Sequence, residues 1–207
     1  MDLGTNNKVI LLIVLVVSIV LHEMMHAYAS YWLGDDTAKL DGRTSLNPLR
    51  HIDPFFTIIL PAITLLFFGF PMLAAKPVPF NPNRVKYEEF GAALIGFAGP
   101  LTNLILAILA ATVFNLAGGS FGGAGYQFLI AFIEVNVLLF VFNMIPLPPL
   151  DGSRVLYAFA PEAVQNVMAQ MEQFGIFIIF ALIIAVPGFI TLLTNVDNAV
   201  LRLVLKV

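Results

Sequence analysis

The sequence predicts an all-α polytopic membrane protein with about four full transmembrane helices, a re-entrant or hairpin segment at 54–73, and a short extended segment near 76–80. Three observations carry this expectation. Of the 207 residues, 59% are hydrophobic and only 11% charged, whereas soluble domains average ~25% charged residues. Four apolar stretches reach the ~20 residues that a helix needs to cross a bilayer. The connections between them are short and leave no room for a second soluble domain or an inserted peptide-binding domain. The same composition excludes disorder. A net charge of −3 without a basic block argues against a nucleic-acid partner. With no cysteine in the chain, disulfides, thiolate metal sites and cysteine nucleophiles are excluded.

The first stretch, Val9–Leu33, follows Lys8 and starts like a signal peptide. No small-residue cleavage site follows it and the apolar run continues into HEMMH, so it reads as a retained helix. Pro54–Leu73 is apolar but carries Pro61 in its middle and Pro71 near its end, which breaks a continuous helix. Lys76–Phe80 reads as extended, either an edge for an added substrate strand or a proline-rich loop. Phe90–Ala117, Tyr126–Leu147 and Gly175–Leu193 are the other spans, and the uncharged GGSFGGAG at 118–125 reads as a flexible turn.

The strongest chemical signal is His22-Glu23-Met24-Met25-His26, an HExxH inside the first span. Residues i and i+4 share a helix face, so both imidazoles reach one metal ion with the glutamate beside it. Zinc takes imidazole nitrogen readily, and three protein ligands plus a water make its catalytic arrangement. Two histidines packed in a helix interior are the alternative. Each ionisable group at the centre of a span costs ~2.5–3.5 kcal/mol and marks function by default.

A third ligand must come from elsewhere. His51, Asp53, Asp151 and Glu134 are the groups near or in apolar segments. Glu134 lies 17 residues before Asp151, ~25 Å along a continuous helix, and reads as a polar contact of the outer leaflet. His51 and Asp53 read first as loop fasteners. Asp151 ends the run Asn143-Met144-Ile145-Pro146-Leu147-Pro148-Pro149-Leu150-Asp151, whose prolines cannot continue a helix. Irregular backbone at membrane depth must be buried in protein or line a cavity, which favours an Asp151 turned inward. A helix N-cap for the segment that follows is the alternative.

HEMMH in the first span, Gly99-Pro100-Leu101-Thr102-Asn103 in a middle one and Pro149-Leu150-Asp151-Gly152 after a later one together resemble the site-2 protease family of intramembrane zinc metalloproteases. The NPLRHIDP and AKPVPFNPNR segments resemble those of its compact bacterial members. The resemblance implies that His22, His26 and Asp151 hold one zinc ion, that Glu23 is the general base, and that Asn103 is a substrate or oxyanion contact. It implies a single metalloprotease domain over 1–207, with a catalytic core at about 9–157 and a C-terminal helix at about 172–195. It further implies a bacterial cell membrane as location and a transmembrane protein as substrate, cut by regulated intramembrane proteolysis. A membrane metal-binding or transport protein is the alternative, although no second histidine-rich site marks a metal path.

Topology bears on the same question. HEMMH lies toward the C-terminal end of its span and Asp151 just past the C-terminal end of another. For both to reach one depth, their spans must run in the same direction, so Pro54–Leu73 cannot make a full crossing. The loops at 34–53, 75–89 and 148–174 then share a side and carry seven Lys/Arg, leaving Lys8, Arg202 and Lys206 opposite. Excess positive charge puts that side, with the active site, in the cytoplasm. Gly96 and Gly99 share a helix face with Asn103, and small residues there let membrane helices approach closely.

Overall fold

A computed structural model describes residues 5–51, 78–117 and 122–205, together with Ile59 and Leu66. The expected re-entrant segment at 54–73 lies outside the described residues apart from those two, as does Asp53. Among the described residues every regular element is helical. These are α1 (Thr5–Trp32), α2 (Thr37–Leu40), α3 (Glu88–Leu116), α4 (Gly123–Asn143), α5 (Asp151–Phe159), α6 (Glu162–Glu172), α7 (Gly175–Ala185) and α8 (Pro187–Leu205), with 3₁₀ turns at Pro48–Arg50 and Pro82–Arg84. Helices α1, α3, α4 and α8 are long and apolar enough to cross a membrane. The protein is an integral membrane protein, and leucines such as Leu12, Leu109 and Leu116 on its outer faces are exposed for contact with lipid.

The fourth span departs from expectation. Gly175–Leu193 is apolar throughout, yet the helix stops at Ala185, and Val186 is extended with φ −111° and ψ 94°. Pro187 is the reason: it has no N–H for the preceding turn and pushes the residue before it out of helical geometry. Proline suits the first turn of a helix, and α8 starts on it and runs to Leu205. Of these two helices, α8 is by itself long and apolar enough to cross a membrane.

Small residues set the closest packing. Ala107, Ala110 and Ala111 of α3 form a buried cluster with Ile133, Val137 and Val141 of α4 and Val204 of α8. Without a hydrophobic drive between helices in lipid, such alanine faces gain stability by close van der Waals contact. Gly96 plays the same part nearer the site: a Cβ there would sit 3.0 Å from Arg154 Cβ and 3.1 Å from the Asp151 carbonyl oxygen, so its absence lets α5 lie on α3.

A clip joins the end of α1 to the start of α3. Gly34 turns the chain with φ +102°, a region open to glycine at little cost, and brings in the fully buried Asp35. Its carboxylate accepts from the Ser30 hydroxyl (3.2 Å), the Thr37 hydroxyl (2.5 Å) and backbone N–H (3.1 Å), and the Asn81 backbone N–H (2.6 Å). The Lys86 N–H donates to the Leu33 carbonyl at 2.8 Å. The chain thus leaves α1 and enters α3 at one end of the bundle. Residues 78–80 carry neither helix nor strand, and Phe80 packs with Val85 against Ala29 and Ile95.

Candidate metal centre

His22 and His26 sit one turn apart on α1, both 6% exposed. Their Nε2 atoms are 3.0 Å apart. Asp151, the first residue of α5, places Oδ2 3.1 Å from His22 Nε2 and 3.3 Å from His26 Nε2. The N-cap of α5 is Leu150, not Asp151, so the carboxylate is directed at the histidines and the proline-rich run before it delivers it there. Among the described residues this trio is the one group of three or more His, Asp or Glu placed to share a metal ion.

The donor set fits zinc. Tetrahedral zinc with bonds of 2.0–2.1 Å spaces its ligand atoms by ~3.3 Å, and the three atoms here form a triangle of 3.0, 3.1 and 3.3 Å. The second nitrogen of each ring is committed. His26 Nδ1 donates to the Ile95 carbonyl at 2.6 Å, and His22 Nδ1 donates to Asn103 Oδ1 at 2.5 Å. With hydrogen on Nδ1, each Nε2 presents a lone pair to the same point as an anionic carboxylate. Three such acceptors converging on one point suit a cation between them.

Gly99 opens the space. A Cβ at this position would overlap His26 Nε2 and lie 2.7 Å from His22 Nε2. The glycine is needed for the ligands themselves, beyond helix packing. Glu23 is half-buried and follows His22 directly on α1.

Asn103 lies on α3 with no exposed surface. Its Oδ1 accepts from His22, while Nδ2 donates to Asn136 Oδ1 at 2.8 Å and to the Ser18 carbonyl at 3.4 Å. Both amide hydrogens are spent within the protein, so this geometry lends no support to a substrate or oxyanion contact, which would need a free donor. The side-chain oxygen faces His22 Nδ1. His51 is buried and its Nε2 donates to the Ser45 carbonyl at 2.8 Å, fastening the loop after α2. Glu134 is exposed on α4 and stands outside the ligand trio.

Sequence reasoning missed Ser18 and Asn136. Ser18 precedes His22 by one turn on the same face, and Asn136 is an uncharged polar residue within an apolar helix. Either pattern was available as a signal, since polar side chains in spans bond across helices.

A membrane-spanning bundle with HExxH and a distant aspartate converging at metal-ligand spacing defines a membrane metallopeptidase. Comparison with known proteins agrees. The profile of peptidase family M50 matches residues 120–186. YwhC of Bacillus subtilis is 40% identical over 184 residues, covering 86% of this chain and 80% of its own. Rip2 of Mycolicibacterium smegmatis is 30% identical over 173 residues, covering 81% and 63%. MJ0392 of Methanocaldococcus jannaschii is 29% identical over 156 residues, covering 74% and 36%. All three carry zinc metalloprotease in their names. No solved structure matches the chain. The chain belongs to peptidase family M50, the site-2 proteases, and is a zinc metalloendopeptidase.

Proposed function

We propose that this protein hydrolyses peptide bonds in or beside transmembrane segments of other membrane proteins, using one zinc ion held by His22, His26 and Asp151. The observation that carries the proposal is the ligand triangle of 3.0–3.3 Å built between the spanning helix α1 and the first residue of α5. A substrate therefore reaches it from the bilayer or from its edge.

Zinc, when bound, supplies a Lewis acid and a water whose pKa falls toward ~7. Glu23 accepts the proton of the attacking water and delivers it to the leaving amine nitrogen. The Nδ1 contacts of His22 with Asn103 and of His26 with Ile95 leave both Nε2 atoms facing the metal position. The bundle limits the access of bulk water and strengthens these charge interactions. A transmembrane substrate bonds its own carbonyls within its helix, so it unwinds locally before cleavage, and helix-weakening residues are expected near the cut.

The charge distribution supports a cytoplasmic active site. Lys39 lies over the Tyr31 ring, Arg84 pairs with Asp36, Lys86 bonds Leu33, and Arg154 lies over Phe80, all around the C-terminal end of α1. Lys8 is near the other end of that helix. The Asn115 amide donates to the Leu205 carbonyl at 3.1 Å, which groups Arg202 with the far end of α3.

The test is proteolysis by the purified full chain in lipid vesicles, with single-span peptides as substrates. The expected result is cleavage that stops with a zinc chelator and returns on adding zinc. Cleavage unaffected by the chelator overturns the proposal.

A further inference from the structure

The two histidines of the metal centre are held by different kinds of acceptor. His26 Nδ1 meets a backbone carbonyl, which can only accept. His22 Nδ1 meets a side-chain amide, which has two ends. Were the Asn103 amide reversed, its NH₂ would face Nδ1, and His22 would have to carry its hydrogen on Nε2, where the metal binds. Something must fix the direction of that amide.

The fixing groups lie deeper in the membrane, on two other helices. Asn103 Nδ2 donates to Asn136 Oδ1 at 2.8 Å. Asn136 is oriented in turn, because its Nδ2 donates to the Phe132 carbonyl at 2.8 Å and to Ser18 Oγ at 2.9 Å. The Ser18 carbonyl takes the remaining hydrogen of Asn103. Ser18, Asn103 and Asn136 have no exposed surface, and no water at that depth replaces a lost partner. The direction of the whole chain is anchored at the Phe132 and Ser18 carbonyls and read out at His22.

We infer that Asn136 and Ser18 are positioning residues of the metal centre: they lock the Asn103 amide with its oxygen toward His22 and so preserve the His22 tautomer that leaves Nε2 open to zinc. Neither touches a ligand atom of the metal or the reacting groups. The inference rests on the metal site proposed above. Groups that orient a metal ligand are typically worth 10–100-fold in metal affinity.

The test is Co²⁺ titration of the metal-free full chain, read by visible absorption, with thermal unfolding of the same metal-free samples as the measure of fold. Absence of Co²⁺ binding by the wild type would contradict the metal site itself, a result distinct from failure of the present inference. Given wild-type binding, Asn136→Leu is expected to weaken Co²⁺ affinity by about tenfold and to change its absorption bands. Asn103→Ala is expected to weaken it as well, and the double variant should bind no worse than Asn103→Ala alone, because Asn136 acts only through Asn103. If Asn136→Leu unfolds, Ser18→Ala serves in its place, with a smaller loss that also vanishes in the Asn103→Ala background. Wild-type affinity and spectrum in a folded Asn136→Leu, or in Ser18→Ala where it replaces that variant, overturn the inference. So does a loss that adds in full to that of Asn103→Ala.

Discussion

Gly99 of α3 lies against His26 of α1 so closely that a single added methyl would overlap the imidazole Nε2. The point it would occupy is the one on which the lone pairs of His22 and His26 converge. Gly99→Ala is therefore expected to abolish zinc binding while α1 and α3 keep their helicity, since alanine is the better helix former. Zinc content and far-ultraviolet circular dichroism of the purified variant check both halves. Wild-type zinc in Gly99→Ala would mean that the ligands have room the structure denies.

Glu23→Gln should keep the metal and the fold and lose turnover. The amide matches the carboxylate in shape but cannot take a proton from the attacking water, and general-base catalysis contributes ~10²–10⁴ in rate. Cleavage of a single-span substrate, measured beside zinc content, gives the result. Turnover within tenfold of wild type would place the base elsewhere.

Asp35 should make the junction of α1 and α3 sensitive to acid. Burial raises its pKa, but hydrogen bonds from Thr37, Asn81 and Ser30 outweigh that and lower it from the ordinary 3.8. A carboxyl with a depressed folded-state pKa contributes stability above its unfolded pKa, and the contribution is lost as pH falls through the folded value. Asp35→Ala is expected to lose about 1–3 kcal/mol at neutral pH, the cost of leaving buried donors unpaired. Thermal unfolding in detergent at pH 7 and pH 3 measures this. The gap between wild type and variant should shrink at the lower pH, and a constant gap would contradict the role.

The Leu33–Lys86 hydrogen bond implies that the chain on either side of residues 52–77 emerges on one face of the membrane. The chain has no cysteine, so Arg50→Cys, Asn83→Cys and, at the other end, Gln127→Cys can each be labelled in intact cells with an impermeant thiol reagent. Arg50→Cys and Asn83→Cys should stay unlabelled until the membrane is opened, and Gln127→Cys should label at once. Opposite behaviour of the first two would break the shared face, and labelling of both in intact cells would reverse the orientation.

The spanning helices and the convergence of His22, His26 and Asp151 were legible because their signals are periodic or directional. HExxH carries helical spacing within itself, and the prolines before Asp151 forbid a helix that would have carried it past the site. The break at Val186 was written in Pro187, but an unbroken apolar run from Gly175 to Leu193 hid it, since hydropathy measures partition into lipid and not backbone geometry. Asn103 was legible as a polar residue within a span, and the partners of its amide were not. Which end of an amide faces which neighbour depends on partners 33 and 85 positions away, and a sequence pattern does not encode that distance. Asp35 was missed for the same reason, because its partner at Asn81 lies across an intervening segment.

The central claim is that His22, His26 and Asp151 are jointly the ligands of one zinc ion. Zinc per chain, measured by elemental analysis on the purified wild type and on His22→Ala and Asp151→Ala, tests it most directly. The account predicts one zinc per chain in the wild type and less than about a tenth of that in either variant after dialysis, because two remaining ligands fall short of the three protein ligands a catalytic zinc needs. One zinc per chain in Asp151→Ala would contradict it, since the metal would then be held without the carboxylate that α5 brings to the histidines.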